Sequence, residues 1–138
     1  MNTCNIAAAY IIAREAGHHV QNLLGVIPRV TQLQQQVSSK AEANALQVRV
    51  ELQADCLAGF WFNREEKKRP GLLKAVDIEA VLTTASALGD DTLQRQATGR
   101  VVPDSFTHGS AAQRKQWFTT GVRQGTVEAC NTFERGAL

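Results

Sequence analysis

The chain has 138 residues, of which 43% are hydrophobic and 20% charged, with a net charge of +2. That is enough for one domain with a proper core and too little for two of ordinary size, and it excludes global disorder. The near-neutral balance implies no strongly charged partner such as nucleic acid. The one basic cluster, REEKKR at 64–69, is interleaved with acids and reads as a solvated helix end.

The first predicted helix covers about residues 4–24. Ile6, Tyr10, Ala13, Gly17, Val20 and Leu24 recur at helical spacing, and Gly25 is placed to stop it. Because it is apolar around much of its circumference, it is expected to be the buried central helix. Pro28 suits the first turn of a second helix that runs to about residue 37. After Ser38 and Ser39, a long helix is predicted over 40–68, with Ala45, Val48, Leu52, Cys56, Gly59, Phe60 and Phe62 as its apolar stripe and Pro70-Gly71 as its stop.

Asp77 is the expected N-cap of a helix over 78–88, and Asp90-Asp91 can cap a further turn or two before Gly99. Residues 100–109 read as an ordered loop. Ser110 then caps a last helix over about 111–124, which carries Trp117 and Phe118. No segment alternates with period two, so the fold class expected is mainly α, in one domain over 1–138. No run approaches the length of a membrane span, and no export signal is visible. Trp61, Phe60 and Trp117 are expected in the core. Three cysteines, Cys4, Cys56 and Cys130, allow at most one internal disulfide and leave the redox compartment open.

The chemistry is concentrated in REAGH, residues 14–18. On a helix, residues four apart share a face, so HExxH places two imidazoles on one zinc ion and its Glu within reach of the metal-bound water. Here Glu15 and His18 keep that spacing, but Arg14 stands where the first His would be. Glu51 and Asp55, in ELQAD, repeat the four-residue spacing on the long helix. Their place in an otherwise apolar stripe means that each wants a partner. His19 is four residues after Glu15, and a hydrogen bond between the two is its plain reading. His108, in SFTHG, lies in the loop. It could stabilise an oxyanion, serve as a substitute ligand, or cap the loop.

The segment AYIIAREAGHHVQNLLG resembles the bacterial neutral zinc metallopeptidase family, whose helix reads AYVIAHEVGHHVQxLLG. The likeness runs on through IPRVTQLQQQ, RVELQADCLAGFWFN, ALGDD, GRVVPDSFTHGS, the QRxxWF spacing at 113–118 and the closing CNTF. It implies a zincin-like helical core, with His18 and Glu51 as zinc ligands, Glu15 as general base, Asp55 as the residue that orients a ligand imidazole, and a peptide or protein as substrate. Residue 14 would be the remaining ligand. As Arg14 it has no lone pair for a metal, so zinc is expected to be absent or weakly held and hydrolysis impaired. Its fork can instead satisfy Glu51 and Asp55.

The resemblance also implies that Cys56 and Cys130, both in family-like blocks, lie close enough to pair while Cys4 stays free. Family members resemble extracytoplasmic proteins with a membrane anchor and a sheet region ahead of the zinc helix, and neither is visible here. Without that sheet, Ile6, Tyr10 and Ile11 are expected to be left uncovered and to drive a homodimer. Two other readings stay open. One is an active enzyme with an altered metal site that draws on His108 or His19; the other is a non-enzymatic helical interaction module.

Overall fold

The computed structural model describes residues 2–138, and these form six α-helices and two single 3-10 turns with no strand. The helices are α1 (Thr3–Leu23), α2 (Val26–Gln36), α3 (Lys40–Lys68), α4 (Ala75–Ala87), α5 (Asp90–Thr98) and α6 (Ala111–Gln124). The 3-10 turns are Pro103–Ser105, within the segment expected to be loop throughout, and Glu128–Cys130.

Local chemistry accounts for the helix ends. The Asn2 side chain accepts from Asn5 N–H at the start of α1, and Gly25, at φ 81°, turns the chain into α2. Ser39 caps α3, which carries Glu42 in its first turn and Lys67 and Lys68 in its last, each charge complementing the helix dipole. Ser110 and Gln113 form a reciprocal capping box at α6. Asp77 corrects the expectation for α4. It lies inside the first turn rather than at the cap, and its carboxylate reaches back to accept from Lys74 N–H at 2.9 Å.

The central helix is α3, not α1. It packs against α1, α2, α6 and both 3-10 turns. Its contact with α6 is backbone on backbone. A Cβ at Gly121 would stand 1.9 Å from Cys56 O, and one at Gly59 would stand 2.2 Å from Phe118 O, so only glycine lets the helices approach this closely.

Ile6, Tyr10 and Ala13 of α1, Ala58 and Phe62 of α3, Val81 and Ala85 of α4 and Phe118 of α6 form the main core. Phe118 meets Tyr10 and Phe62 edge-on at ring centroids 5.6 and 5.5 Å apart. Ile6 and Tyr10 are therefore fully buried, contrary to the expectation that they lie uncovered, because α3, α4 and α6 enclose them. Trp117 is buried, whereas Phe60 is half-buried and Trp61 is 43% exposed. Trp61 follows Phe60 and precedes Phe62 on α3, and a helix cannot turn three successive side chains inward.

Cys56 and Cys130 form a disulfide across 74 residues, which ties the C-terminal tail to α3 and contributes on the order of 4 kcal/mol by restricting the unfolded chain. Cys4 is free and exposed. Among the described residues, no helix is long and apolar enough to cross a membrane.

Candidate functional site

The site is built where α1 crosses α3. Residues 14 and 18 face α3 from one side of α1, and 51 and 55 face back from one side of α3, so both four-residue spacings meet. Arg14 lies between the two carboxylates. Its Nη2 donates to Glu51 Oε2 at 2.8 Å, and its Nε stands 2.8 Å from Asp55 Oδ1, an ionic contact whose N–H is not aimed at the oxygen. All three side chains are withdrawn from solvent.

Asp55 is fully buried and carries a second cation. Arg114 of α6 donates from Nε to Asp55 Oδ2 at 3.0 Å and from Nη2 to Oδ1 at 3.3 Å, and its Nη1 donates to Leu88 O at 3.0 Å. The Tyr10 hydroxyl donates to Asp55 Oδ1 through a short hydrogen bond and accepts from Arg114 Nη2. Burial, reinforced by the charge of Asp55, pushes the Tyr10 phenol far above its ordinary value, so it stays a neutral donor. Burial works against the charge on Arg114, but Asp55 outweighs it and raises the guanidinium.

Glu51 lies at the edge of the same cluster. Its Oε2 also meets His18 Nε2 at 3.0 Å, and its Oε1 accepts from Gln47 Nε2 at 3.0 Å. Burial pushes this carboxyl up, but the hydrogen bond and charge of His18, the charge of Arg14 and the Gln47 bond outweigh it and bring it to about 2. The hydrogen bond to Glu51 in turn raises His18, against the opposing effect of burial. The other ring nitrogen of His18 lies 2.8 Å from Gln21 Oε1. Gln21 is oriented with that oxygen outward because its Nε2 donates to Val50 O and Gln53 Oε1.

Beside this cluster opens a cleft of about 310 Å³ between α1, α2 and α3, lined by Glu15, His18, Val30, Gln34, Gln47 and Glu51 among others. Glu15 is exposed, and it makes no hydrogen bond to His19, which points outward. His108 lies elsewhere. Asp90 Oδ2 accepts from the successive backbone N–H groups of Thr107, His108 and Gly109, and the half-exposed His108 ring stands 3.5 Å from Asp90 Oδ1 and 3.0 Å from Thr107 Oγ1. These contacts fix the loop, and none links His108 to His18, Glu15 or Glu51.

The residues present do not fit a zinc ion. His18 Nε2 and Glu51 Oε2, the two donors expected from the sequence to be ligands, are bonded to each other, and Arg14, at the position expected to complete the set, presents a guanidinium that can only donate. Among the described residues, no three His, Cys, Asp or Glu side chains are placed to share an ion.

Tyr10, Gln21, Gln47 and Arg114 are the members of the cluster that the motif did not reveal. Arg114 carries a sequence signal nonetheless. It stands at i with Trp117, Phe118 and Gly121 at i+3, i+4 and i+7, so it is the charged member of a buried stripe.

The family described as putative neutral zinc metallopeptidases matches residues 2–133. An Escherichia coli K12 protein, the uncharacterized protein YpfJ, is 53% identical over 129 residues, which cover 94% of this chain and 44% of the relative. A Mycobacterium bovis protein, uncharacterized protein Mb2605, and a Mycobacterium tuberculosis protein, uncharacterized protein Rv2575, are each 45% identical over 140 residues, covering 96% of this chain and 46% of the relative. The chain thus spans less than half the length of these relatives. No solved structure matches it. The family match takes in nearly every residue, REAGH included, and the chain belongs to this family of putative neutral zinc metallopeptidases.

Proposed function

We propose that residues 1–138 are one metallopeptidase-family domain in which an internal ion pair has taken the place of the metal, leaving peptide hydrolysis impaired. The observation that carries this reading is Arg14 held between Glu51 and Asp55, at 2.8 Å from each. The guanidinium neutralises the carboxylates as a cation would, and it offers no site for a substrate carbonyl or an activated water. In this reading Glu15 is a general base without a metal-bound water to act on. His18 and Glu51 keep their family positions but serve each other. The substrate class, a peptide or protein, is carried over from the family.

An enzyme with an altered metal site would need a third donor. His108 is engaged with Asp90 and Thr107, and His19 points away from the cleft, so neither arrangement favours that reading.

Elemental analysis of the purified protein tests the proposal. The parent chain should carry far less than one zinc per molecule, whereas Arg14→His, which restores HExxH opposite Glu51, should take up about one. Stoichiometric zinc in the parent would overturn the reading. Failure of Arg14→His to bind zinc would show that His18 and Glu51 do not hold their family roles.

A further inference from the structure

Beyond the Arg14 cluster, a second set of polar groups on α3 faces the C-terminal tail. Arg49, Gln53 and Cys56 stand at i, i+4 and i+7, one stripe of the helix, and all three hold that tail. Arg49 and Thr132 exchange hydrogen bonds, the guanidinium donating to Thr132 O and the Thr132 hydroxyl to Arg49 O. Gln53 Nε2 donates to Cys130 O at 3.0 Å, and Cys56 holds the same residue through the disulfide. Cys130 is thus gripped twice from one face of α3, by its carbonyl and by its sulfur.

Gln53 is also bonded in the opposite direction, towards the site. Its Oε1 accepts from Nε2 of the fully buried Gln21 at 2.8 Å. The second hydrogen of that nitrogen goes to Val50 O at 2.9 Å, which leaves Gln21 Oε1 facing His18 Nδ1 at 2.8 Å. A turned Gln21 amide would set its oxygen against two other oxygens, in the interior where an unmet polar group is costly. Gln53 cannot turn to accommodate it, because its own oxygen would then meet Cys130 O. Backbone carbonyls therefore fix the sense of the whole chain from Cys130 O through Gln53 and Gln21 to His18. Since Gln21 Oε1 only accepts, His18 Nδ1 must carry a hydrogen.

We infer that Gln21 and Gln53 are positioning residues for the His18 ring, and that through them the disulfide-stapled tail sets how His18 is presented to Glu51 and the cleft. Gln21 pins one ring nitrogen while Glu51 meets the other, and the two contacts together fix the plane of the ring. The coupling is independent of what Arg14 has replaced, because it reaches His18 through the nitrogen that does not face Glu51. Opening the disulfide is therefore felt at His18, although neither cysteine is hydrogen-bonded to it. Reduction by a small dithiol breaks the Sγ–Sγ bond, delivers two electrons and two protons that leave Cys56 and Cys130 as thiols, and oxidises the dithiol to its own cyclic disulfide. Cys130 then loses one of its two grips, and the carbonyl that orients Gln53 is less firmly placed.

The imidazole NMR signals of the full chain, recorded at one fixed pH, test the coupling, with His108 as the internal control because it is held by Asp90 and Thr107 instead. Gln21→Leu should shift the His18 signals and abolish the resonance of the hydrogen-bonded Nδ1–H. Gln53→Leu, at a residue bonded to Gln21 and Cys130 but not to His18, should shift them in the same direction by a smaller amount, with the helical circular dichroism unchanged. Dithiol reduction of the parent should shift them as Gln53→Leu does, and reduction of the Gln53→Leu chain should add nothing at His18. The His108 signals should stay in place throughout. His18 signals indifferent to Gln53→Leu, or a Gln53→Leu chain that responds to reduction as fully as the parent, would overturn the inference. If the reduced chain unfolds, Gln53→Leu with its disulfide intact decides alone.

Discussion

Asp55 and Glu51 are one helical turn apart on α3 and share Arg14, yet they belong to different environments. Asp55 is 0% exposed and is held from two other helices at once, by Tyr10 and Arg14 of α1 and by Arg114 of α6. Glu51 looks into the cleft and is held by Arg14, His18 and Gln47, two of which are themselves at least partly open to solvent. The pair teaches that two carboxylates at motif spacing can divide their work, one fixing where helices cross and the other presenting chemistry.

The largest effect should come from Asp55→Ala, which strips two buried guanidiniums of their shared acceptor and strands the Tyr10 hydroxyl. A loss of about 3–5 kcal/mol is expected, read as a fall in the urea midpoint. A loss under about 1 kcal/mol would mean that the cluster does not hold the helices together.

Glu51→Gln should cost less, about 2 kcal/mol, because His18 is partly open to water and Arg14 keeps Asp55 when their acceptor weakens. It should also change the pH profile. Glu51, at about 2 in the folded chain against 4.5 ordinarily, contributes stability that is present above about pH 4.5 and is lost as pH falls towards 2. His18, raised above 6.5, contributes stability that is complete below that value and is lost as pH rises through its folded pKa. The parent should therefore be most stable, as far as this pair is concerned, between about pH 4.5 and 6.5. Glu51→Gln should flatten both limbs, and urea midpoints measured across pH would expose a profile that stays unchanged.

The smallest effect should come from His108→Ala, whose ring meets only Asp90 and Thr107 at the surface. Stability should change by less than about 0.5 kcal/mol. The His18 NMR signals should not move; if they did, the two histidines would share a site after all.

Much of this was open to a reader of the chain alone. The family resemblance, rather than the spacing alone, sets the face of Arg14 and His18 against that of Glu51 and Asp55, while the helix bounds 40–68 and 111–124 coincide with Lys40–Lys68 and Ala111–Gln124. Local periodicity and caps carry that information. Arg114 was hidden because it is 59 residues from Asp55 and 104 from Tyr10, and no local pattern states which distant helices touch. The burial of Ile6 and Tyr10 was missed for the same reason: it depends on α4, whose packing against α1 has no signature within α1 itself.

The glycine contact between α3 and α6 has a mechanical consequence. With backbones touching at Gly59 and Gly121, and with Arg114 clasping Asp55, these two helices have no slack and move as one body. Arg14 binds α1 to the same body. Of the three walls of the cleft, α2 alone lacks such a tie: it enters through the left-handed Gly25, leaves through Ser38 and Ser39, and reaches α3 by polar contacts such as those of Gln34 with Ala43 and Gln47. Any widening of the cleft is therefore expected at α2, the wall with the weakest ties to the rest.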